Sequence, residues 1–492
     1  MECVVAQIYF YPIPEEVNVS KQVQNPLHTP LSRRQALKVM GGMVSMAALA
    51  ACVAPAAPAG GTTEGAAPNA APATMLVAHR AEYFKEMETL FIEAVQGWGA
   101  ANNTEIETTV VAAEAFEDFV AKTVAQVQAG EPPDLLYHVR LVQQLYSLDA
   151  LEPVTESVEE AEGLYGASSS GHRRNNFIDG QWWGIPYINS GGGEFARRSV
   201  FEAVGIDPLT DMITFDGARD ACLAASKPEE EMYAWGRTVN KSGDGRGFIE
   251  GTIQNWGGHY TDENMTEITF NSPETVAAVE WLAEIFISDK YAPMLPPGIV
   301  SWTDSSNNEA YLAGNIAYTG NAASVYAKAK ADGNPVFEDT LLLPVATGPS
   351  GKQLIGGGGD GQFNVPKGAK NPDGAKALAL HLITPEIFVP ISLLSAGLFL
   401  PAYTDIDAMA EVQAAYEADP NLARMSARTK GDHPGGSWPA QPSPYFDAIA
   451  AQAILEDMMA QIITQGATPA DAVAQAAERM QAIADELGAL TQ

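Results

Sequence analysis

The sequence predicts an α/β protein built as two or more lobes. Three observations lead there. A chain of 492 residues exceeds what one ordinary hydrophobic core organises. Its hydrophobic fraction of 46% and charged fraction of 18% describe a globular rather than a disordered chain. From Met75 onward, strand-like and helix-like segments alternate, the pattern of a mostly parallel sheet covered on both faces.

Ahead of that pattern stands "LSRRQALKVMGGMVSMAALAAC", Leu31 to Cys52. Arg33, Arg34 and Lys38 precede an apolar run from Val39 to Ala51 that falls short of the ~20 residues a spanning helix needs. Cationic start, apolar middle and small-residue end fit a secretory signal. "SRRQALK" resembles the twin-arginine export motif, with Ala36 where Phe is commoner, and Leu49-Ala50-Ala51-Cys52 resembles the lipobox of bacterial lipoproteins. The expectation is a signal peptide over 1–51 and a lipidated Cys52. The three cysteines are Cys3, Cys52 and Cys222, so removal of 1–51 leaves Cys222 alone, with no internal disulfide and no cysteine metal site. The Ala/Pro/Gly/Thr-rich stretch after Cys52 reads as a flexible tether to residue 74, spanning roughly 25 Å.

"MLVAH" then reads as a buried strand. A helix follows with Phe84, Met87, Phe91, Ala94 and Trp98 at helical spacing. "EIETTVVA" alternates as a strand. "EAFEDFVAKTVAQVQAG" is an amphipathic helix stopped by Gly130, and "PPDLLYH" is the third strand. Ligands in such sheets sit beyond the carboxyl ends of strands, which places His79, Tyr137 and His138 near a crevice. "EFARRSVFEAVGIDP" reads as strand, short helix and glycine stop. Helices are predicted at "FDGARDACLAASK", with Cys222 as a core hydrophobe, and at "SPETVAAVEWLAEIFIS", with Ser272 as cap and Pro273 at its first position. The C-terminal helix opens on Thr468, Pro469 and Asp471 and carries Val473, Ala476, Met480, Ile483 and Leu487 on one face.

The net charge of −33 is spread along the chain and argues against a nucleic-acid partner. No HExxH, GxSxG, phosphate loop or paired His/Cys metal spacing is present, and "GGGGDG" (Gly356 to Gly361) does not match a dinucleotide fingerprint. No cofactor and no metal are expected. Of eight tryptophans, Trp98 and Trp281 lie on apolar helix faces and read as core. Trp182, Trp183, Trp256, Trp302 and Trp438 lie in loop-like text, where an indole either packs against its lobe or stacks on sugar C–H faces.

The order of segments carries a family resemblance. "VAKTVAQVQAGEPPDLLY", "LYSLDALEPV", "DGQWWGIPYINSGGGEFARRSVFEAVGIDP", "AYLAGNIAYTGNAAS" and "LLLPVATGPSGKQLIGGGGDGQFNVPKGAKNPDGAKALALHLITPE" together resemble the extracellular solute-binding proteins (family 1) of ABC importers. The likeness runs from about Met75 to Leu490. It implies a periplasmic-binding-protein type II fold, with two α/β lobes, hinge-crossing strands and a ligand cleft between the lobes. By that resemblance the lobes divide as 75–186 and 319–372 for the first, 187–318 and 373–492 for the second. It also implies that Tyr137, His138, Tyr187, Trp256, Asn321 and the stretch Gly358 to Asp360 face the cleft, with Asn321, Asp360 and His138 bonding hydroxyls. Trp302 and Trp438 join them as aromatic candidates. His138 and Asn321-Ala322-Ala323 replace aromatics common in relatives, which points to a ligand more polar than a maltodextrin.

The expected protein is a monomeric, exported lipoprotein, lipid-anchored on the outer side of the cytoplasmic membrane. It captures a sugar or sugar-like solute by lobe closure and delivers it to a permease, without catalysis. Two alternatives stand beside it. One keeps the fold and changes the cargo to a polyamine, a glycerophosphodiester or ferric ion. The other is a secreted glycosidase, which needs two carboxyls about 5–10 Å apart.

Overall fold

The computed structural model describes residues 73–82, 85–111, 116–137, 142–353, 359, 361–430 and 435–490. The export segment, Cys52, most of the tether, His138, Gly358 and Asp360 lie outside them.

The first lobe is organised by a six-stranded sheet. Its strands are β1 (Ala73–Arg80), β2 (Thr104–Val111), β3 (Leu135–Tyr137), β6 (Ile185–Ser190), β11 (Gly361–Asn364) and β12 (Phe399–Pro401), with β4 (Phe177–Ile178) and β5 (Gln181–Trp182) forming a small hairpin beside it. The order across the sheet is β12-β6-β11-β3-β1-β2. β1 pairs in parallel with β2 and β3, while β11 runs antiparallel between β3 and β6. Alternation along β1 sends Val77 into the main core and Ala78 into a smaller cluster under the helix Phe116–Ala129. Leu135 and Leu136 of β3 divide in the same way. The sheet is therefore covered on both faces, as the alternating pattern required.

The second lobe holds β7 (Gly192–Arg197), β8 (Tyr233–Trp235), β9 (Ile316–Ala322) and β10 (Thr340–Leu342), in the order β10-β7-β9-β8. Period-two alternation again separates two cores. Phe195, Ile316 and Leu342 join the core that continues into the first lobe, whereas Ala196, Ala317 and Leu343 join the second. Helices Gly243–Trp256, Pro273–Ile287, Ile454–Gln465 and Pro469–Leu487 close over that second core. Ser272 accepts from Thr275 N–H and Thr468 from Asp471 N–H, so both caps foreseen from sequence are made. Cys222 is fully buried in this core. Among the described residues no single helix is long and apolar enough to cross a membrane.

The lobe boundaries differ from those drawn on the sequence. Ala73 and Thr74, assigned to the tether, already belong to β1. β6 stays in the first sheet through Ser190, so the first crossing is the single residue Gly191. β9 and β10, assigned to the first lobe from residue 319, pair in the second-lobe sheet. Helices Pro372–Ile383 and Pro385–Leu394 and strand β12, assigned to the second lobe, pack in the first. Apolar helices show that they are buried, but not against which sheet.

Candidate functional site

Strand direction gathers the site. β8 runs parallel to β9, the end of β9 pairs with the start of β7, and the end of β10 reaches Phe195 of β7. The carboxyl ends of β8, β9 and β10 and the amino end of β7 therefore meet beside Gly191. A cavity of about 330 Å³ opens there, in the position where open α/β sheets hold ligands.

One wall is the helix Gly243–Trp256. Gly243, Gly247 and Gly251 stand four residues apart and line the cavity with Thr252 and Asn255. A Cβ placed on Gly247 or Gly251 meets no atom within 4 Å, so these glycines widen the cavity. Half-buried Phe215 and Trp281 present aromatic surface to the cavity, and the buried rings of Trp235, Phe248 and Tyr318 back its wall. The Trp281 indole N–H donates to Asp216 Oδ1 at 2.8 Å, which fixes the ring at the cavity edge. Trp235 donates to Arg237 O at 2.9 Å.

One carboxylate on the cavity surface is ion-paired on both oxygens. Glu194 accepts from Arg237 Nη1 at 3.3 Å and from Arg428 Nη2 at 3.1 Å. Burial opposes ionisation of Glu194, but Arg428 and Arg237 outweigh it and hold its carboxyl below the usual range. The Arg237 guanidinium also lies 4.0 Å over the Phe248 ring. Asp244 accepts from Asn307 Nδ2 at 2.8 Å. Two carboxylates and two guanidinium groups thus line the described cavity surface, which balances its charge in a chain of net charge −33.

The predicted site residues divide into groups. Asn321 lines the cavity, with its Nδ2 donating to Asn308 Oδ1 at 2.6 Å. Trp256 stands behind the lining, 5.0 Å from Phe215 and 5.2 Å from Trp281 between ring centroids. His79, Tyr137 and Tyr187 are corrections, because all three are buried in the first lobe. His79 packs on Phe91, bonds Arg80 O through Nδ1 and is kept below its ordinary pKa by desolvation. Tyr137 stacks on Phe91 at 4.6 Å and meets Tyr187 edge-on at 5.4 Å. The Tyr137 hydroxyl bonds Glu82, whose carboxyl burial pushes up to about 7 although Tyr137 and Arg80 pull it down. Trp302 packs against both cores away from the cavity lining. Trp438 meets His259 edge-on at 4.5 Å, with Lys352 Nζ 4.1 Å from its ring centroid, also off the lining. Of the two indoles read as core, Trp98 packs on the first-lobe core, but Trp281 lines the cavity.

Sequence reasoning missed Glu194, Arg237, Arg428 and the glycine wall. The glycines did leave a signal, a four-residue spacing in "GDGRGFIEG" directly after the capping Ser242.

Two lobes, a one-residue first crossing and a cavity beside it define a solute-binding protein. The chain belongs to the family of bacterial extracellular solute-binding proteins, whose profile matches residues 93–423. A curated protein of Deinococcus radiodurans named "Probable ABC transporter-binding protein" is 24% identical over 213 residues. That match covers 42% of this chain and 49% of the relative, so the chain spans about half the length of that relative. Among solved structures, a Thermotoga lettingae solute-binding protein bound to α-D-tagatose superposes with a TM-score of 0.71 at 17% identity, covering 84% of this chain and 99% of its own. Maltose-bound MalE3 of T. maritima gives 0.68 at 15% identity, covering 83% and 99%. A sugar transporter component of Arthrobacter chlorophenolicus with laminaribiose gives 0.67 at 13% identity, covering 83% and 99%. These likenesses establish the shared fold.

Proposed function

We propose that this chain is the substrate-binding lipoprotein of an ABC importer and that its cargo is a neutral sugar or polyol. The observation that carries the reading is an aromatic-walled cavity with balanced charge at the hinge. Aromatic faces cover the apolar C–H surface of a sugar, while a few fixed polar groups take its hydroxyls. A polyamine calls for carboxylates without partners, yet Glu194 is held by two guanidinium groups. A phosphodiester calls for cationic groups free to converge on it, and Arg237 and Arg428 already share that carboxylate. Among the described residues no group of three or more His, Cys, Asp or Glu side chains is placed to hold a metal ion, and no Tyr lines the cavity except the buried Tyr318. A glycosidase needs a carboxyl held protonated beside a second one, whereas Glu194 is held ionised. The sugars named with the solved relatives support the same class.

In this reading Cys52 carries the acyl anchor, the protein acts as a monomer, and the tether holds it close to the permease outside the cytoplasmic membrane. Cargo bridging the lobes favours closure, and the closed form docks on the permease.

A thermal-shift screen of the purified protein tests the cargo, because a ligand at about 100 times its Kd stabilises by roughly 2.7 kcal/mol. The set contains mono- and disaccharides, polyols, spermidine and glycerophosphocholine. A saturable shift with a carbohydrate is expected. A shift with spermidine or the phosphodiester and none with any carbohydrate overturns the reading. Release of a Cys52→Ser variant into the soluble fraction checks the anchor.

A further inference from the structure

One carboxylate on the cavity wall is gripped from both sides. Glu194 Oε1 takes Arg237 at 3.3 Å and Oε2 takes Arg428 at 3.1 Å. The backbone around it is shaped for this grip. A Cβ on Gly193 would fall 1.6 Å from Arg428 Nη1, and one on Gly320 would fall 2.7 Å from Arg237 Cζ. Only glycine at these positions lets both guanidinium groups lie against the strands. Arg428 also donates to Gly192 O at 3.3 Å and Leu343 O at 2.9 Å, at the start of β7 and just after β10. The group that aims Glu194 thus also ties together two chain segments at the hinge.

Such an ionic cluster is a weak source of stability, since apolar residues of similar volume often serve as well. Its position in the cavity suggests another role. The Glu194 side chain keeps 22% of its surface exposed. A carboxylate offers about four acceptor sites. The two guanidinium contacts and the Glu194 backbone N–H account for three of them.

We propose that Glu194 is the specificity-determining acceptor for one ligand hydroxyl, and that Arg428 is the positioning residue that holds it against the hinge. The proposal rests on the carbohydrate reading of the cavity. An ionised carboxylate accepts and never donates, so the ligand must bring an O–H to it and gains a charge-assisted bond. A fluorine at that position, an acceptor facing an acceptor, is rejected more strongly than a hydrogen. A neutral amide in place of the carboxylate removes that distinction, because its NH₂ group can face fluorine.

Isothermal titration of the full protein tests this. The probe is the tightest binder among D-tagatose, ribitol, maltose and laminaribiose, with its monodeoxy and deoxyfluoro analogues. Wild type, Glu194→Gln and Arg428→Lys are compared. For wild type, one hydroxyl position is expected to lose roughly tenfold on deoxygenation and more on fluorination. In Glu194→Gln the parent sugar weakens by roughly tenfold, and the extra fluorine penalty at that position disappears. Arg428→Lys weakens binding but keeps the preference for the same position. If Glu194→Gln keeps the full wild-type pattern of discrimination, Glu194 is structural and the proposal fails, even when overall affinity falls. Should Glu194→Gln not fold, Glu194→Asp, with its shorter reach, serves the same comparison, and an unchanged deoxy penalty at every position overturns the proposal. If none of the four probes binds wild type while spermidine or glycerophosphocholine does, the carbohydrate reading fails and this proposal with it.

Discussion

Trp281 and Trp302 show how the role of an indole depends on what lies beyond its edge. Trp281 is fixed by its N–H bond to Asp216 and by the Arg219 guanidinium 5.2 Å from its centroid, and it packs on Trp256 and Phe215 while one part of it lines the cavity. Trp302 packs against both cores, and its carbonyl accepts from Asn240. Trp281→Ala is expected to weaken sugar binding by roughly ten- to a hundredfold and also to cost the empty protein roughly 2–3 kcal/mol, because the ring packs on Trp256 and Phe215. Trp302→Ala is expected to cost the empty protein roughly 3 kcal/mol and to change affinity little. Calorimetry and denaturant unfolding of both variants check the contrast. Glu82 carries the pH prediction. Its carboxyl rises from 4.5 to about 7 on folding, so between those values the native state binds more protons than the unfolded one. This residue therefore favours folding less as pH rises through that window, the reverse of a salt-bridged acid. Glu82→Gln should gain on wild type by roughly 1–3 kcal/mol as pH goes from about 4.5 to 8. His79, His259 and His381, all lowered by burial, tilt the parent curve the other way but cancel in the comparison. A difference that stays flat with pH would show that Glu82 is not desolvated.

At the scale of elements, the helix Gly243–Trp256 trades intrinsic stability for space. Each interior glycine costs a helix about 1 kcal/mol relative to alanine, and Gly247 and Gly251 both face open cavity. Gly247→Ala should therefore stabilise the empty protein by roughly 0.5–1 kcal/mol. Gly247→Phe should fold while its ring occupies the cavity and abolishes binding, as unfolding curves and titration of the two variants would reveal. Elements whose signals are local were legible in the sequence, including the caps at Ser272 and Thr468 and the strand–helix alternation from β1 to β3. What a strand faces was less legible. Tyr137 sits at the carboxyl end of β3, which suggested a cleft position. Yet it shares a side with Leu135, and that side looks inward onto Phe91. The end of a strand reveals the edge of the sheet a residue is near, whereas its face depends on register with neighbours.

Across the whole molecule, the least legible feature was the one that brings distant chain together. Glu194 meets Arg237 across 43 positions and Arg428 across 234, and no local pattern connects them. The lobes also touch away from the hinge, where the carboxylate of Asp447 in the second lobe accepts the Gln144 backbone N–H in the first. Between these contacts, the first crossing is a single glycine. A Cβ on Gly191 would fall 2.1 Å from Gly397 O, so the chain there has no room to thicken. In mechanical terms Gly191 lies at a fulcrum, and points near a fulcrum travel least when the arms swing. Glu194 is three residues from it. If cargo seats on that carboxylate as proposed, it would be held where the two arms scarcely part, and opening would loosen it from the outer edge inward.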